Sequence, residues 1–101
     1  MAAPCGRRAV DMVWEDLTPD KIMTETSTRN AVTVAMATGC STNAIIHLIA
    51  MARRAGVPPE LDNLDAIGRQ TAVIANNRPS GKDCLMEDSY YAGGLPELMK
   101  E

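Results

Sequence analysis

Aromatic residues are scarce in this sequence, which has no phenylalanine, one tryptophan and two tyrosines among 101 residues. Large rings supply much of the buried area in most small cores, and here that task falls to seven methionines and to aliphatic side chains. A domain of this length buries only about 60 to 65% of its unfolded surface. The composition therefore predicts a marginal core.

Basic residues are also few. Ten lysines and arginines stand against 13 acidic residues, which gives a net charge of −3 and a pI near 5.1. Proteins that bind nucleic acids neutralise phosphates with clustered Lys and Arg, so we expect no nucleic-acid partner. The sequence also lacks the ~18 continuous apolar residues of a membrane span and an apolar signal segment after Met1. We therefore expect a cytoplasmic protein with no membrane partner.

The three cysteines, Cys5, Cys40 and Cys84, are odd in number and far apart. Disulfide frameworks use paired cysteines, and zinc sites usually contain a C-x-x-C spacing. One alternative joins Cys40 to His47, the only histidine, in a metal-binding module that would need further ligands. A hydrogen-bonded His47 inside the core is the interpretation that we favour.

The most informative stretch covers residues 39 to 52. Gly39 permits a positive φ, and the polar side chains of Ser41, Thr42 and Asn43 can accept hydrogen bonds from the start of a helix. Between residues 44 and 52 only His47 is polar, so this helix should be covered by protein on every side. A chain this short can hardly cover it, which indicates a piece of a larger protein.

The neighbouring residues predict a mainly helical segment. Small side chains recur at helical spacing in residues 26–38, and Gly39 and Gly56 end two consecutive helices that form a tight corner. Residues 62–70 and 85–92 are further predicted helices, residues 72–75 are the one predicted buried strand, and residues 7–17 show no clear period. A last helix begins at Pro96 and barely completes a turn, so we expect a cut C-terminus.

The apex of the helical corner is the strongest candidate site. A helix N-terminus presents unpaired N–H groups and a partial positive charge, which makes Ser41, Thr42 and Asn43 candidates for binding a substrate or anion. Simple capping of the helix explains the same residues. For Glu87 and Asp88 we favour a solvated or capping role over metal binding or acid–base chemistry.

Five groups of residues resemble dihydroxy-acid dehydratases and sugar-acid dehydratases in order and spacing, namely residues 39–48, 55–58, 79–82, 85–88 and 92–94. The resemblance runs from about residue 6 to the end, and residues 13–17 with 90–94 favour the pentonate (arabinonate or xylonate) branch. It implies an α/β parent fold. Residues 1–101 would be a partial N-terminal domain, mainly α-helical with one short buried strand.

The resemblance further implies a hydro-lyase that removes water from a 2,3-dihydroxy carboxylate and yields a 2-keto acid. In that family an iron–sulfur cluster and Mg²⁺ act on the substrate hydroxyl and carboxylate groups, and a serine takes the C2 proton. None of these parts maps onto this sequence. We therefore assign no catalytic or metal-binding residue here, expect no bound cofactor, and expect the segment to be inactive alone.

The partners implied are a small-molecule sugar-acid or dihydroxy-acid substrate, the remainder of the same polypeptide, and further copies in a homo-oligomer. Two residues depart from the family pattern. Cys40 replaces a second glycine and would strain a turn that needs positive φ, and Thr28 stands where we expect a larger apolar side chain. The alternative function is a small helical interaction module without catalysis.

Overall fold

The computed structural model describes residues 2–58, 60–78 and 80–101. Within them the chain forms seven helices: α1 (Ala2–Trp14), α2 (Pro19–Ile22), α3 (Glu25–Ala37), α4 (Thr42–Arg54), α5 (Leu61–Gln70), α6 (Met86–Tyr91) and α7 (Gly94–Leu98). The prediction of a mainly helical segment is confirmed.

Reciprocal capping fixes the start of α3. The Thr24 hydroxyl accepts from the Ser27 N–H at 3.1 Å, and the Ser27 hydroxyl accepts from the Thr24 N–H at 2.8 Å. Two N–H groups without a partner inside the helix are thereby satisfied. The Ser27 hydroxyl also donates to the carbonyl oxygen of Ile22 at 2.7 Å, so the same side chain joins α2 to α3.

Helices α3 and α4 end in the same way. After α3, the Gly39 N–H donates to Met36 O at 3.1 Å and the Cys40 N–H donates to Ala35 O at 2.9 Å. This pair of bonds around a left-handed glycine is a Schellman motif. Gly56 and Val57 repeat it after α4, so both predicted helix ends are confirmed.

The core is small and lies where α3 packs against α4 and α5. Its buried apolar residues are Val32, Ala37, Ala52 and Leu64. Thr28, one turn before Val32, is 94% buried, and its hydroxyl has no hydrogen-bond partner among the described residues. A cleft of about 690 Å³ opens beside it between α3 and α5.

Much apolar surface stays exposed. Trp14 on α1 is 84% exposed and Ile46 on α4 is 58% exposed, and the radius of gyration of 15.0 Å exceeds the ~13 Å typical of a compact domain of this length. The described residues therefore do not cover α4 on every side. His47 is exposed as well, so the prediction of a core histidine is wrong.

The buried strand predicted at residues 72–75 is not confirmed. These residues are extended but unpaired, and Val73 and Ile74 are more than half exposed. A strand requires a neighbouring strand to satisfy its backbone, and none of the described residues supplies one. Instead, the N–H groups of Ile74 and Ala75 both donate to the carbonyl oxygen of Ala37 at the end of α3.

Three helix starts differ from the sequence predictions. Residues 2–14 form α1, although no clear period was recognised in residues 7–17; its apolar side chains do lie along one side of the helix, but none of them is buried. α5 begins at Leu61 with Glu60 as N-cap, one residue before the predicted start at Asp62. α7 begins at Gly94, so Pro96 is its third residue. The sequence also places Pro58 and Pro59 directly after the end of α4, where they prevent it from continuing; Pro59 lies outside the described residues.

Candidate functional site

The turn between α3 and α4 contains the three candidate binding residues. Gly39 has a φ of 65° and is the only left-handed residue of this turn. Cys40, the next residue, does not have a positive φ. The expectation that Cys40 strains the turn is therefore wrong. One left-handed residue suffices to reverse the chain after a helix, so the position after Gly39 accepts a side chain.

The start of α4 lies open at this turn. Ser41 is the N-cap residue with extended backbone angles, and its side chain makes no capping hydrogen bond. Ser41, Thr42 and Asn43 are all exposed. The N–H groups of Thr42 and Asn43 have no acceptor among the described residues, whereas that of Ala44 donates to Ser41 O at 3.0 Å. Two backbone N–H groups at the positive end of a 13-residue helix are therefore free to donate hydrogen bonds to an anionic partner.

A second loop, residues 76–84, is ordered by its own hydrogen bonds. The Asn76 side chain accepts from the Lys82 N–H at 2.9 Å and donates to an Asp83 carboxylate oxygen at 2.6 Å. The Cys84 N–H donates to Asn76 O at 3.1 Å. Gly81 lies so close that an added Cβ would be 2.2 Å from the carbonyl carbon of Asn76. Only glycine fits that position.

Buried Asn77 joins this loop to α6. Its side-chain oxygen accepts from the Ser89 hydroxyl at 2.7 Å, and the residue is 7% exposed. At the start of α6, the Leu85 N–H donates to Asp88 Oδ2 at 2.6 Å. The capping role favoured for Asp88 is confirmed, and loop 76–84 is anchored to a helix at its far end.

The loop and the turn meet at one contact. The hydroxyl of Ser80 donates a hydrogen bond to the carbonyl oxygen of Gly39, and a Cβ built on Gly39 would lie 3.4 Å from Ser80 Oγ and 3.7 Å from Val73 Cγ1. Sequence reasoning singled out both segments but did not place them together. The structure thus brings residues 39–43 and Ser80 to one surface.

In residues 2–58, 60–78 and 80–101, no three His, Cys, Asp or Glu side chains come together as potential metal ligands. Cys5 lies exposed on α1, and Cys40 and Cys84 are half-buried free thiols. Among the same residues, no helix is long and apolar enough to cross a membrane.

Comparison with known proteins gives one consistent result. The family model for the dihydroxy-acid/6-phosphogluconate dehydratase N-terminal region matches residues 1–101. The chain is 50% identical over 100 residues to an L-arabinonate dehydratase of Rhizobium leguminosarum bv. trifolii. The aligned region covers 99% of this chain and 17% of that protein.

Two further relatives are named for other activities. A 6-deoxy-6-sulfo-D-gluconate dehydratase of Pseudomonas putida is 50% identical over 101 residues, covering 100% of this chain and 17% of the relative. A dihydroxy-acid dehydratase of Solidesulfovibrio magneticus is 42% identical over 101 residues, covering 100% and 18%. The chain therefore spans about a sixth of the length of these relatives. No solved structure gives a significant match.

Proposed function

The chain belongs to the dihydroxy-acid/6-phosphogluconate dehydratase family, and on that premise we propose that it is part of a hydro-lyase acting on a sugar acid. The reaction removes the C2 proton and the C3 hydroxyl of a 2,3-dihydroxy carboxylate as water. The resulting enol rearranges to a 2-keto acid. The family match over residues 1–101 carries this proposal.

A sugar acid is favoured over a branched dihydroxy acid as the substrate. The two sugar-acid relatives are each 50% identical to the chain, against 42% for the dihydroxy-acid relative. The intact protein would be assayed for 2-keto acid formation from L-arabinonate and from 2,3-dihydroxyisovalerate. A higher kcat/KM for the dihydroxy acid would contradict the preference.

Within the enzyme, we propose that the start of α4 binds the substrate carboxylate. The support is geometric, because Thr42 and Asn43 present unpaired N–H groups at an exposed helix start, and the Ser41 side chain does not cap them. Backbone donors held by a helix need little reorganisation to meet an anion. They bind and orient the substrate; proton removal is left to residues outside this segment.

The variant Thr42→Pro tests this role in the intact protein, because proline is tolerated at the first position of a helix and removes the N–H of residue 42. If that N–H contacts the substrate, kcat/KM falls by about tenfold or more, which corresponds to roughly 1.4 kcal/mol of lost binding. An unchanged kcat/KM would contradict the contact. Thr42→Ala is the matched control, since it removes the side chain and keeps the N–H.

We also propose that any iron–sulfur cluster and Mg²⁺ of the enzyme are held by residues outside this segment. The reason is that no three potential ligands come together in its described residues. Anaerobic reconstitution of the 101-residue chain should then yield no bound cluster. Stoichiometric iron and sulfide, with visible absorption that disappears in Cys40→Ser, would overturn this assignment.

The exposed apolar side chains suggest how the segment is completed. We propose that the remaining polypeptide covers α1 and α4, where Trp14 and Ile46 are now exposed, and that the isolated chain is inactive and self-associates. A monomer at micromolar concentration with a cooperative thermal transition and no binding of a hydrophobic dye would contradict this. It would favour the alternative, a free-standing helical interaction module.

A further inference from the structure

We propose that Ser80 is a positioning residue, which fixes the turn before α4 by its hydrogen bond to Gly39 O. The bond crosses 41 positions in the sequence and joins loop 76–84 to the turn, beside the bonds from the Ile74 and Ala75 N–H groups to Ala37 O. This inference rests on the proposed role of that turn in binding the substrate. Ser80 itself is not assigned a contact with the substrate.

The peptide unit between Gly39 and Cys40 is the part that Ser80 holds. Its N–H end donates to Ala35 O at 2.9 Å in the cap of α3, and its carbonyl end accepts from the Ser80 hydroxyl. Glycine has the widest choice of backbone angles of any residue. With both ends of this unit bonded, its rotation about the Gly39 backbone is restrained, and so is the direction in which the chain enters α4.

Ser80 can act as a fixed donor because its own loop is fixed. Asn76 binds the Lys82 N–H, Gly81 packs against the Asn76 backbone, and buried Asn77 bonds to Ser89 on α6. A hydrogen bond from a mobile loop would add little order to its acceptor. The bond from Ser80 therefore holds the turn in a fixed position relative to α6.

The removal of the Ser80 bond should loosen the turn without unfolding the protein. In Ser80→Ala the Gly39 carbonyl loses its partner, while the Schellman bonds of α3 remain. Ser80→Thr keeps a hydroxyl and should restore the bond. Ser27→Ala is the matched control, because it removes a serine hydroxyl bonded to a backbone carbonyl, Ile22 O at 2.7 Å, at the opposite end of α3.

The first measurement is hydrogen-exchange mass spectrometry of the intact protein without substrate, following peptides that span residues 38–48. Ser80→Ala should raise the exchange rate there by about 3- to 10-fold, and Ser80→Thr should return it close to the parent value. Ser27→Ala should change exchange only near the start of α3. Unchanged exchange at residues 38–48 in Ser80→Ala overturns the positioning role.

The second measurement separates this inference from the function on which it rests. With L-arabinonate as substrate, Ser80→Ala should raise KM by about 3- to 10-fold and leave kcat within about twofold, since binding of the carboxylate is uniform between ground and transition states. Faster exchange together with an unchanged KM keeps the positioning role and contradicts the proposed substrate contact of the turn. A raised KM with unchanged exchange overturns the positioning role.

Discussion

Gly39 and Gly56 adopt the same left-handed conformation at the ends of consecutive helices, with φ values of 65° and 77°, but only Gly39 has close neighbours. A Cβ on Gly56 would meet nothing within 4 Å, whereas a Cβ on Gly39 would lie 3.4 Å from Ser80 Oγ. The two positions therefore share a backbone requirement and differ in packing.

This pair predicts two different costs for alanine. Gly56→Ala should lower the free energy of unfolding by about 1 kcal/mol, the usual cost of a Cβ in this conformation. Gly39→Ala should cost more than Gly56→Ala and should also speed hydrogen exchange in residues 38–48, because the added methyl lies in van der Waals contact with Ser80 and leaves the Ser80 hydroxyl less freedom to hold its bond to Gly39 O. Urea denaturation gives the free energies. Equal losses at both positions would show that the Ser80 contact adds nothing at Gly39.

The buried hydroxyl of Thr28 predicts a stabilising substitution. Since this hydroxyl has no partner among the described residues, Thr28→Val should raise the free energy of unfolding by about 1 kcal/mol by removing an unsatisfied polar group of nearly the same shape. Thr33→Val on the same helix is the control; its hydroxyl has a carbonyl partner, and no gain is expected. A loss of stability in Thr28→Val would mean that the hydroxyl is satisfied by water from the adjoining cleft.

Cys40 predicts that restoring a glycine brings no benefit. Because Cys40 does not have a positive φ, Cys40→Gly relieves no strain and should lower the free energy of unfolding by about 0.4 to 1 kcal/mol through the greater freedom of the unfolded chain. Cys40→Ala should be close to neutral, since its Cβ keeps the backbone restricted. A stabilised glycine variant in thermal denaturation would indicate that the turn is strained after all.

The Arg8–Glu15 pair predicts a local pH effect. The guanidinium donates two hydrogen bonds, at 2.6 and 2.9 Å, to the carboxylate, and these bonds lower the pKa of Glu15. Because the folded pKa lies below the unfolded value, the stabilisation is present above the unfolded pKa and is lost as the pH falls through the folded one. In Arg8→Gln, NMR titration of the Glu15 carboxyl carbon should show a higher pKa. Arg7→Gln should leave it unchanged, and added salt should weaken the effect of Arg8.

The helical corner could be predicted from sequence because its determinants are local. Gly39 and Gly56 mark helix ends by their freedom at positive φ, and the small side chains before Gly39 follow a helical period. Thr28 was also recognisable as an undersized residue from the resemblance alone. Its lack of a hydrogen-bond partner required the structure, because a hydroxyl in a helix often bonds to its own backbone, as Thr33 does.

The failed predictions depended on partners that the local pattern does not contain. Val73 and Ile74 have the β-branched chemistry of a buried strand, but a strand forms only beside another strand. His47 was placed in the core because its neighbours are apolar, yet nothing in the described residues covers that face of α4. The Ser80–Gly39 contact joins residues 41 positions apart, so no helical or strand period could have indicated it.

During synthesis of the chain, the Ser80–Gly39 bond can form only after the residues of the helical corner have been added. The corner of α3 and α4 needs only residues up to Val57, whereas its turn receives a hydrogen-bond donor only when Ser80 has been added. At about 5 to 20 residues per second, synthesis of the 23 residues from position 58 to Ser80 takes roughly 1 to 5 s. During that interval the corner can fold, but the direction of its turn is not yet set. Ser80 therefore completes the turn after the residues of the corner have been made. A ribosome that pauses before Ser80 lengthens the period in which the start of α4 is not held by this bond.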